Sequence, residues 1–300
     1  MTRLLSSLRD GKGFDIVLVT VPLLFLFALS GLPLIYNVVM SFQEVDMFSL
    51  GTFARPWVGF KNYVDVFSQP ETWPIMRNTL VFVTVSIAGQ FLIGFGLALF
   101  FSLKFTGASY IRGLFLASWV MPGLVVGAIW NWILAGDFGV LNHILKSLGI
   151  ISENIFWRSD TAWSLWGVII ANIWNGIAFN MILLAVGLAA IPRDLYEAAA
   201  LDGATAWQRF WTITLPMMRS TIGAVISLGL IFTLQQFDLF AAITSGGPAN
   251  SSNVAQYWAW EQSFRQYDFA KGSTISVVMI AVVLIASIIY VRSTRHEVRG

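Results

Sequence analysis

From Leu80 to Leu103 the chain runs without a single charged residue, and five other stretches share that character: Ile16–Phe42, Gly113–Ala135, Ala162–Ala190, Thr221–Thr244 (interrupted only by Asp238) and Ser273–Val291. A helix needs about 20 apolar residues to cross roughly 30 Å of hydrocarbon. In lipid the peptide groups find no water, so each run is expected to satisfy its backbone internally as one helix. Composition points the same way. Of 300 residues 57% are hydrophobic and 11% charged, whereas a soluble domain carries about a quarter charged residues. The expected fold class is an all-α membrane protein of six transmembrane helices spanning residues 16–292, with tails at 1–15 and 293–300. The first run stays apolar well past Ala28-Leu29-Ser30, so it reads as a retained span rather than a cleaved leader.

Lysine and arginine set the orientation. The N-terminal tail holds Arg3, Arg9 and Lys12, the second connection Lys104 and Arg112, the fourth Arg193, Arg209 and Arg219, and the C-terminal tail Arg292, Arg295 and Arg299. The opposite side has fewer, spread over longer loops: Arg55, Lys61, Arg77, Lys146, Arg158, Arg265 and Lys271. Positive charge in short loops marks the cytoplasmic side, so both termini are expected there. The external loops carry Trp57, Phe60, Tyr63, Trp73, Trp157, Trp163, Tyr257, Trp258 and Trp260. Most read as an interfacial belt, the remainder as a docking surface for an external partner.

Several chemistries are excluded. Net charge is +2 with no dense basic run, which argues against nucleic acid. Cysteine is absent and the two histidines, His143 and His296, lie far apart, so no metal site and no catalytic residue is expected. No Gly-x-x-x-x-Gly-Lys-[Ser/Thr] phosphate loop occurs, and any nucleotide energy must come from another polypeptide.

The loop joining the fourth and fifth runs, residues 193–218, is the most informative segment. Leu195 to Ala200 favours helix and Gly203 stops it. A second short turn follows through Phe210, Trp211 and Ile213 until Pro216, which is expected to break it. Glu197 is expected near the start of the first helix, where a carboxylate meets the positive end of the dipole. A short helix, a tight turn and another short helix suit insertion into a groove on a soluble partner.

This segment resembles the EAA loop of binding-protein-dependent ABC importers. Glu197, Ala198, Ala199, Gly203, Ile213, Leu215 and Pro216 match the family pattern, and the Asp202-Gly203-Ala204 variant looks like the carbohydrate-uptake branch. Val58-Gly59-Phe60-Lys61-Asn62-Tyr63, Arg77-Asn78-Thr79-Leu80, Trp119-Val120-Met121-Pro122 and Phe138-Gly139-Val140-Leu141-Asn142 resemble other family segments, and Thr244-Ser245-Gly246-Gly247-Pro248 resembles the maltose-type permeases. The resemblance implies a type I ABC importer permease fold. It also implies a second homologous permease subunit, two ATPase subunits that bind ATP and Mg, an external solute-binding protein and a sugar or sugar derivative as cargo. Cofactors in this chain would be none, and the location a bacterial inner membrane. Glu197, Ala198, Ala199, Asp202, Gly203, Ile213, Leu215 and Pro216 would then couple to the ATPase. Where the family often has a proline, this sequence has Ala178, which should leave the fourth span less kinked.

Polar residues inside spans are costly and mark packing or a substrate path. In the fourth run Asn172, Asn175, Gly176 and Phe179 share one helical face; in the fifth, Gly229, Phe232, Thr233 and Gln236 do the same. Amides, a hydroxyl, aromatic rings and glycine suit a sugar, and the resemblance points to the same faces; the alternative is interhelical hydrogen bonding. Gly123 and Gly127 read as a packing pair. Gln90 and Asp238 are the polar outliers; Asp238 could bond substrate, but the external mouth or a pairing with the sister subunit is the favoured assignment. An ion-coupled secondary transporter would call for several intramembrane carboxylates and inverted repeats, and an intramembrane enzyme for a base and nucleophile. Neither pattern is present.

Overall fold

The computed structural model describes residues 12–52, 54–103 and 105–295. Arg3, Arg9, Lys104, His296 and Arg299, used above for orientation or metal chemistry, lie outside the described residues. In chain order the helices are α1 (Lys12–Leu26), α2 (Leu32–Met40), α3 (Lys61–Ser68), α4 (Thr72–Ser102), α5 (Ala108–Val120), α6 (Gly123–Ile133), α7 (Val140–Ser147), α8 (Ser164–Ala189), α9 (Arg193–Leu201), α10 (Ala206–Arg209), α11 (Leu215–Met217), α12 (Arg219–Leu234), α13 (Asp238–Ile243), α14 (Ala255–Trp260) and α15 (Phe269–Arg295). Four helices among the described residues are long and apolar enough to span a membrane, or six if each of two bent pairs counts as one span.

The bends correct the expectation of one helix per run. The third run is α5 and α6, inclined at 101° about Met121-Pro122. Pro122 lacks an amide proton and pushes the residue before it out of the helical region, and Met121 is extended at ψ 138°. At 11 residues α6 reaches only about 16 Å, too short to cross alone. The fifth run ends as a helix at Leu234, and the chain restarts as α13. Pro216 does not break the loop's second helix either. It occupies the first turn of α11, where a missing donor is tolerated, and the 65° bend falls at Met218. The turn before it, Phe210–Thr214, is a π turn, and so is Phe27–Gly31 ahead of Pro33. In both, the carbonyl a proline ring would strike, at Thr212 or Leu29, lies inside the widened turn. α8 runs unbroken through Ala178.

The chain divides into two compact units, residues 1–67 with 259–277 and residues 68–258 with 278–300. In the first unit the span Asp15–Met40 buries none of its own side chains. Beyond it the rings of Phe42, Trp57, Phe60 and Tyr63 cluster, and the Asn62 side-chain amide donates to the Ser41 and Gln43 carbonyls at 2.9 Å each. The Ser49 amide and hydroxyl hold the Asp46 carboxyl below the usual carboxylate range.

In the second unit α4 and α8 form the most extensive helix pair, α12 packs on both, and α5 lies against α8. Between lipid-facing helices the hydrophobic effect contributes little, so close packing and hydrogen bonds must hold them. The predicted glycine pair does this. A Cβ at Gly123 would stand 2.9 Å from that of Asp238, and one at Gly127 2.5 Å from that of Ala242, so α13 sits directly on α6. Trp157, Tyr257 and Trp258 are buried rather than part of an aromatic belt. The Trp157 indole donates to Asn142 Oδ1 at 2.8 Å, while Trp57 and Trp73 remain exposed as expected.

Candidate functional site: an amide-lined cavity and a surface loop

The two polar faces read from the sequence converge. Asn172, Asn175, Gly176 and Phe179 from α8, with Gly229, Phe232, Thr233 and Gln236 from α12 and its C-terminal end, line one open cavity of about 300 Å³. Helical spacing put each set on one face, and the packing of α12 on α8 brings the faces together. Gln90, Trp119 and Gln235 complete the wall. Gln90 was visible in the sequence as a polar outlier in a span; Trp119 carried no such signal.

The polar chemistry is neutral throughout. Among the described residues, none that lines the cavity bears a formal charge. Asn172 is 5% exposed, and its Nδ2, with Asn175 Oδ1 and Gln236 Nε2, is buried without a hydrogen-bond partner. Such groups cost about 1–3 kcal/mol each if left unsatisfied, so a ligand offering both donors and acceptors is favoured. Gln90 Nε2 donates to the Asn172 carbonyl at 2.8 Å, fixing its own amide across the α4–α8 boundary. A Cβ at Gly176 would stand 2.2 Å from Gln90 Cδ, so only glycine leaves room for that amide. Trp119, Phe179 and Phe232 form a chain of rings with centroids 5.5 and 5.3 Å apart. Asp238 does not line the cavity; it opens α13 against Gly123.

The loop of residues 193–218 has two kinds of residue. Ile213 and Leu215, with Tyr196 and Phe210, pack against a buried cluster that includes Phe95, Phe101, Leu184 and Met218. Glu197, Ala198, Asp202, Gly203 and Pro216 are exposed, and Ala199 is half-buried. Glu197 falls mid-helix in α9; Asp194 takes the first turn instead. The helix begins two residues earlier than propensity suggested, directly after Pro192, whose ring holds φ at −60°. Gly203 has φ +80°, the left-handed conformation that ends a helix. Thr205 then starts α10 with a capping box to Gln208. A 2.8 Å hydrogen bond between the Tyr196 and Thr214 hydroxyls ties the two halves together. Leu201 is 90% exposed and Trp207, its ring edge-on to that of Trp211 at 5.5 Å, is 70% exposed, leaving an apolar tip on the surface of the loop.

Among the described residues no group of three or more His, Cys, Asp or Glu could hold a metal.

Residues 90–296 match the family model described as "Binding-protein-dependent transport system inner membrane component". The chain is 32% identical over 241 residues (80% of this chain, 78% of the relative) to a sulfoquinovosyl glycerol transport system permease protein of Agrobacterium fabrum. It is 32% identical over 243 residues (81% of each) to a trehalose/maltose transport system permease protein of Thermococcus litoralis. Its fold is similar to a chain of a bacterial ABC transporter involved in the import of the acidic polysaccharide alginate (TM-score 0.77, 22% identity, 97% of this chain and 99% of that one). The chain therefore belongs to the family of binding-protein-dependent transport system inner membrane components, and is a multi-pass ABC transporter permease rather than an enzyme.

Proposed function

We propose that the chain is one of two permease subunits of an ATP-driven importer and forms half of the path for a neutral sugar or sugar derivative. The observation that carries the substrate class is the cavity: buried amide donors and acceptors without partners, aromatic rings for the apolar face of a sugar, and no charge. Relatives named for trehalose/maltose and diacetylchitobiose uptake support the same class. Asn172, Asn175, Gly176, Phe179, Gly229, Phe232, Thr233 and Gln236 are the substrate-path residues in this reading. An anionic cargo would call for a cation supplied by the sister subunit.

The exposed tip of the loop docks on a soluble ATPase, one of two copies that bind ATP and Mg; this chain holds no cofactor of its own. Glu197, Ala198, Ala199, Asp202, Gly203 and Pro216 face the partner, while Ile213 and Leu215 seat the loop on the bundle. Nucleotide-driven closure of the ATPases is passed on as rigid-body motion. An external solute-binding protein delivers cargo, both termini face the cytoplasm, and the membrane is a bacterial inner membrane. The test is affinity purification of the intact complex from the native host. A second six-span permease and an ATPase in twofold excess are expected, with transport in vesicles dependent on the binding protein. ATP hydrolysis by the purified chain alone would overturn this reading.

A further inference from the structure

A second cavity, of about 700 Å³, lies where the loop of residues 193–218 meets the ends of α4 and α8. Arg112, Arg193 and Arg209 line it, and among the described residues no carboxylate does. The ion pairs among the described residues, Arg265–Glu261 and Lys271–Asp268, involve none of the three. Arg112 lies over the Phe101 ring at 5.6 Å and donates from Nη2 to the Phe101 carbonyl at 3.3 Å, yet its Nε is buried and unpartnered, as is Nε of Arg209. Three cations around one space repel each other, and each unsatisfied guanidinium donor adds a desolvation cost. Leu99, Leu103 and Leu188 line the same cavity. Cationic forks and aliphatic side chains around one space are the complement of an amphiphilic anion. A carboxylate offers two oxygens for three guanidiniums; a phosphodiester offers two anionic oxygens with two weaker ester oxygens beside them, inorganic phosphate offers four, and both phosphates match the planar fork bidentately.

We infer that this cavity binds a net-anionic phosphate group, with Arg112 and Arg209 as its principal ligands and Arg193 at its rim. The aliphatic side chains favour a phospholipid headgroup with part of an acyl chain against Leu99 and Leu188; a soluble phosphate shares the same headgroup chemistry. The site rests on the geometry of this unit and not on the sugar reading. The leaflet it faces, the cytoplasmic one where anionic lipid attracts arginine, does rest on the orientation proposed above.

The test is thermal unfolding of the full chain, delipidated in a neutral detergent. It is titrated with phosphatidylglycerol, with phosphatidylcholine of the same acyl chains, and with inorganic phosphate. Phosphatidylglycerol is expected to raise the melting temperature saturably. Arg112→Gln/Arg209→Gln should bind it about tenfold more weakly or worse, while Arg158→Gln, outside the cavity, should bind as wild type. Should the double variant not fold, Arg193→Gln on the exposed helix start is expected to weaken binding about threefold. A shift with phosphatidylglycerol alone supports the lipid source. An equal, arginine-dependent shift with inorganic phosphate supports the site with a soluble source. Equal shifts with both lipids, or a phosphatidylglycerol shift that every arginine variant retains, would overturn it. Because the readout is binding and not transport, its failure would leave the importer reading untouched.

Discussion

Two cavities lie along α8, one around Asn172–Phe179 and the other around Ala185–Ala189, and their walls have opposite chemistry. The first is built from amides, a threonine hydroxyl and aromatic rings without charge; the second has three guanidiniums and aliphatic side chains beside its own rings and hydroxyls. Both contain buried polar atoms without partners, so burial alone does not tell them apart. The difference lies in what would satisfy them. Neutral amides can each exchange one bond with a hydroxyl-rich ligand and release it again, because no charge has to be desolvated. Clustered cations hold an anion more firmly. A path for cargo needs the first behaviour, a fixed structural ligand the second.

The largest effect should come from the loop beside the cationic cavity. Gly203→Pro demands φ near −65° where the chain has +80°. Transport in reconstituted vesicles is expected to fall to background, with the ATPase bound weakly or hydrolysing without transport, while the binding protein still docks. Normal coupling in this variant would mean that the loop does not transmit motion and that the two regions are not divided by role. Next comes the neutral cavity. Asn172→Ala or Gln236→Ala removes one amide contact, worth about 1 kcal/mol, so transport should drop about fivefold while assembly and basal ATPase hold. Loss of assembly with normal transport per folded complex would instead assign these amides to helix packing. Phe232→Ala, which removes a ring from the Trp119–Phe179–Phe232 chain, should behave in the same way. The smallest change is expected from Glu197→Lys. An exposed ion pair to a partner contributes about 0–1 kcal/mol, so ATPase pull-down should weaken by about fivefold or less. A complete loss of assembly would place Glu197 in a buried contact.

Much of the cavity was legible because helical periodicity is local: Asn172, Asn175, Gly176 and Phe179 share a face whatever surrounds them. Their meeting with Gly229 to Gln236 was legible only through resemblance, since nothing in either run states which neighbour it packs on. The breaks at Met121-Pro122 and after Leu234 were hidden for a different reason. Apolar character summed over about 20 residues is blind to direction, and a run that turns by 101° has the same hydropathy as a straight one. Trp157, Tyr257 and Trp258 misled because tryptophan outside a span suits both a membrane interface and a folded loop core. The arginine cavity needed the fold as well. Arg112 and Arg209 are nearly a hundred residues apart and were read only as charges that set orientation.

The bend at Met218 has a mechanical consequence. Met218 is fully buried, and one residue separates α11 from α12, so there is no slack between the loop and the helix it leads into. α12 is 16 residues long, an arm of about 24 Å at 1.5 Å per residue. A tilt of about 10° about such a fulcrum would carry its far end about 4 Å, and Gly229, roughly ten residues out, between 2 and 3 Å. Small rotations delivered to the loop would therefore be magnified at Phe232, Thr233 and Gln236, on the side of the cavity that α12 supplies. Gln90, Asn172 and Asn175, carried by the α4–α8 pair, would serve as the stationary jaw.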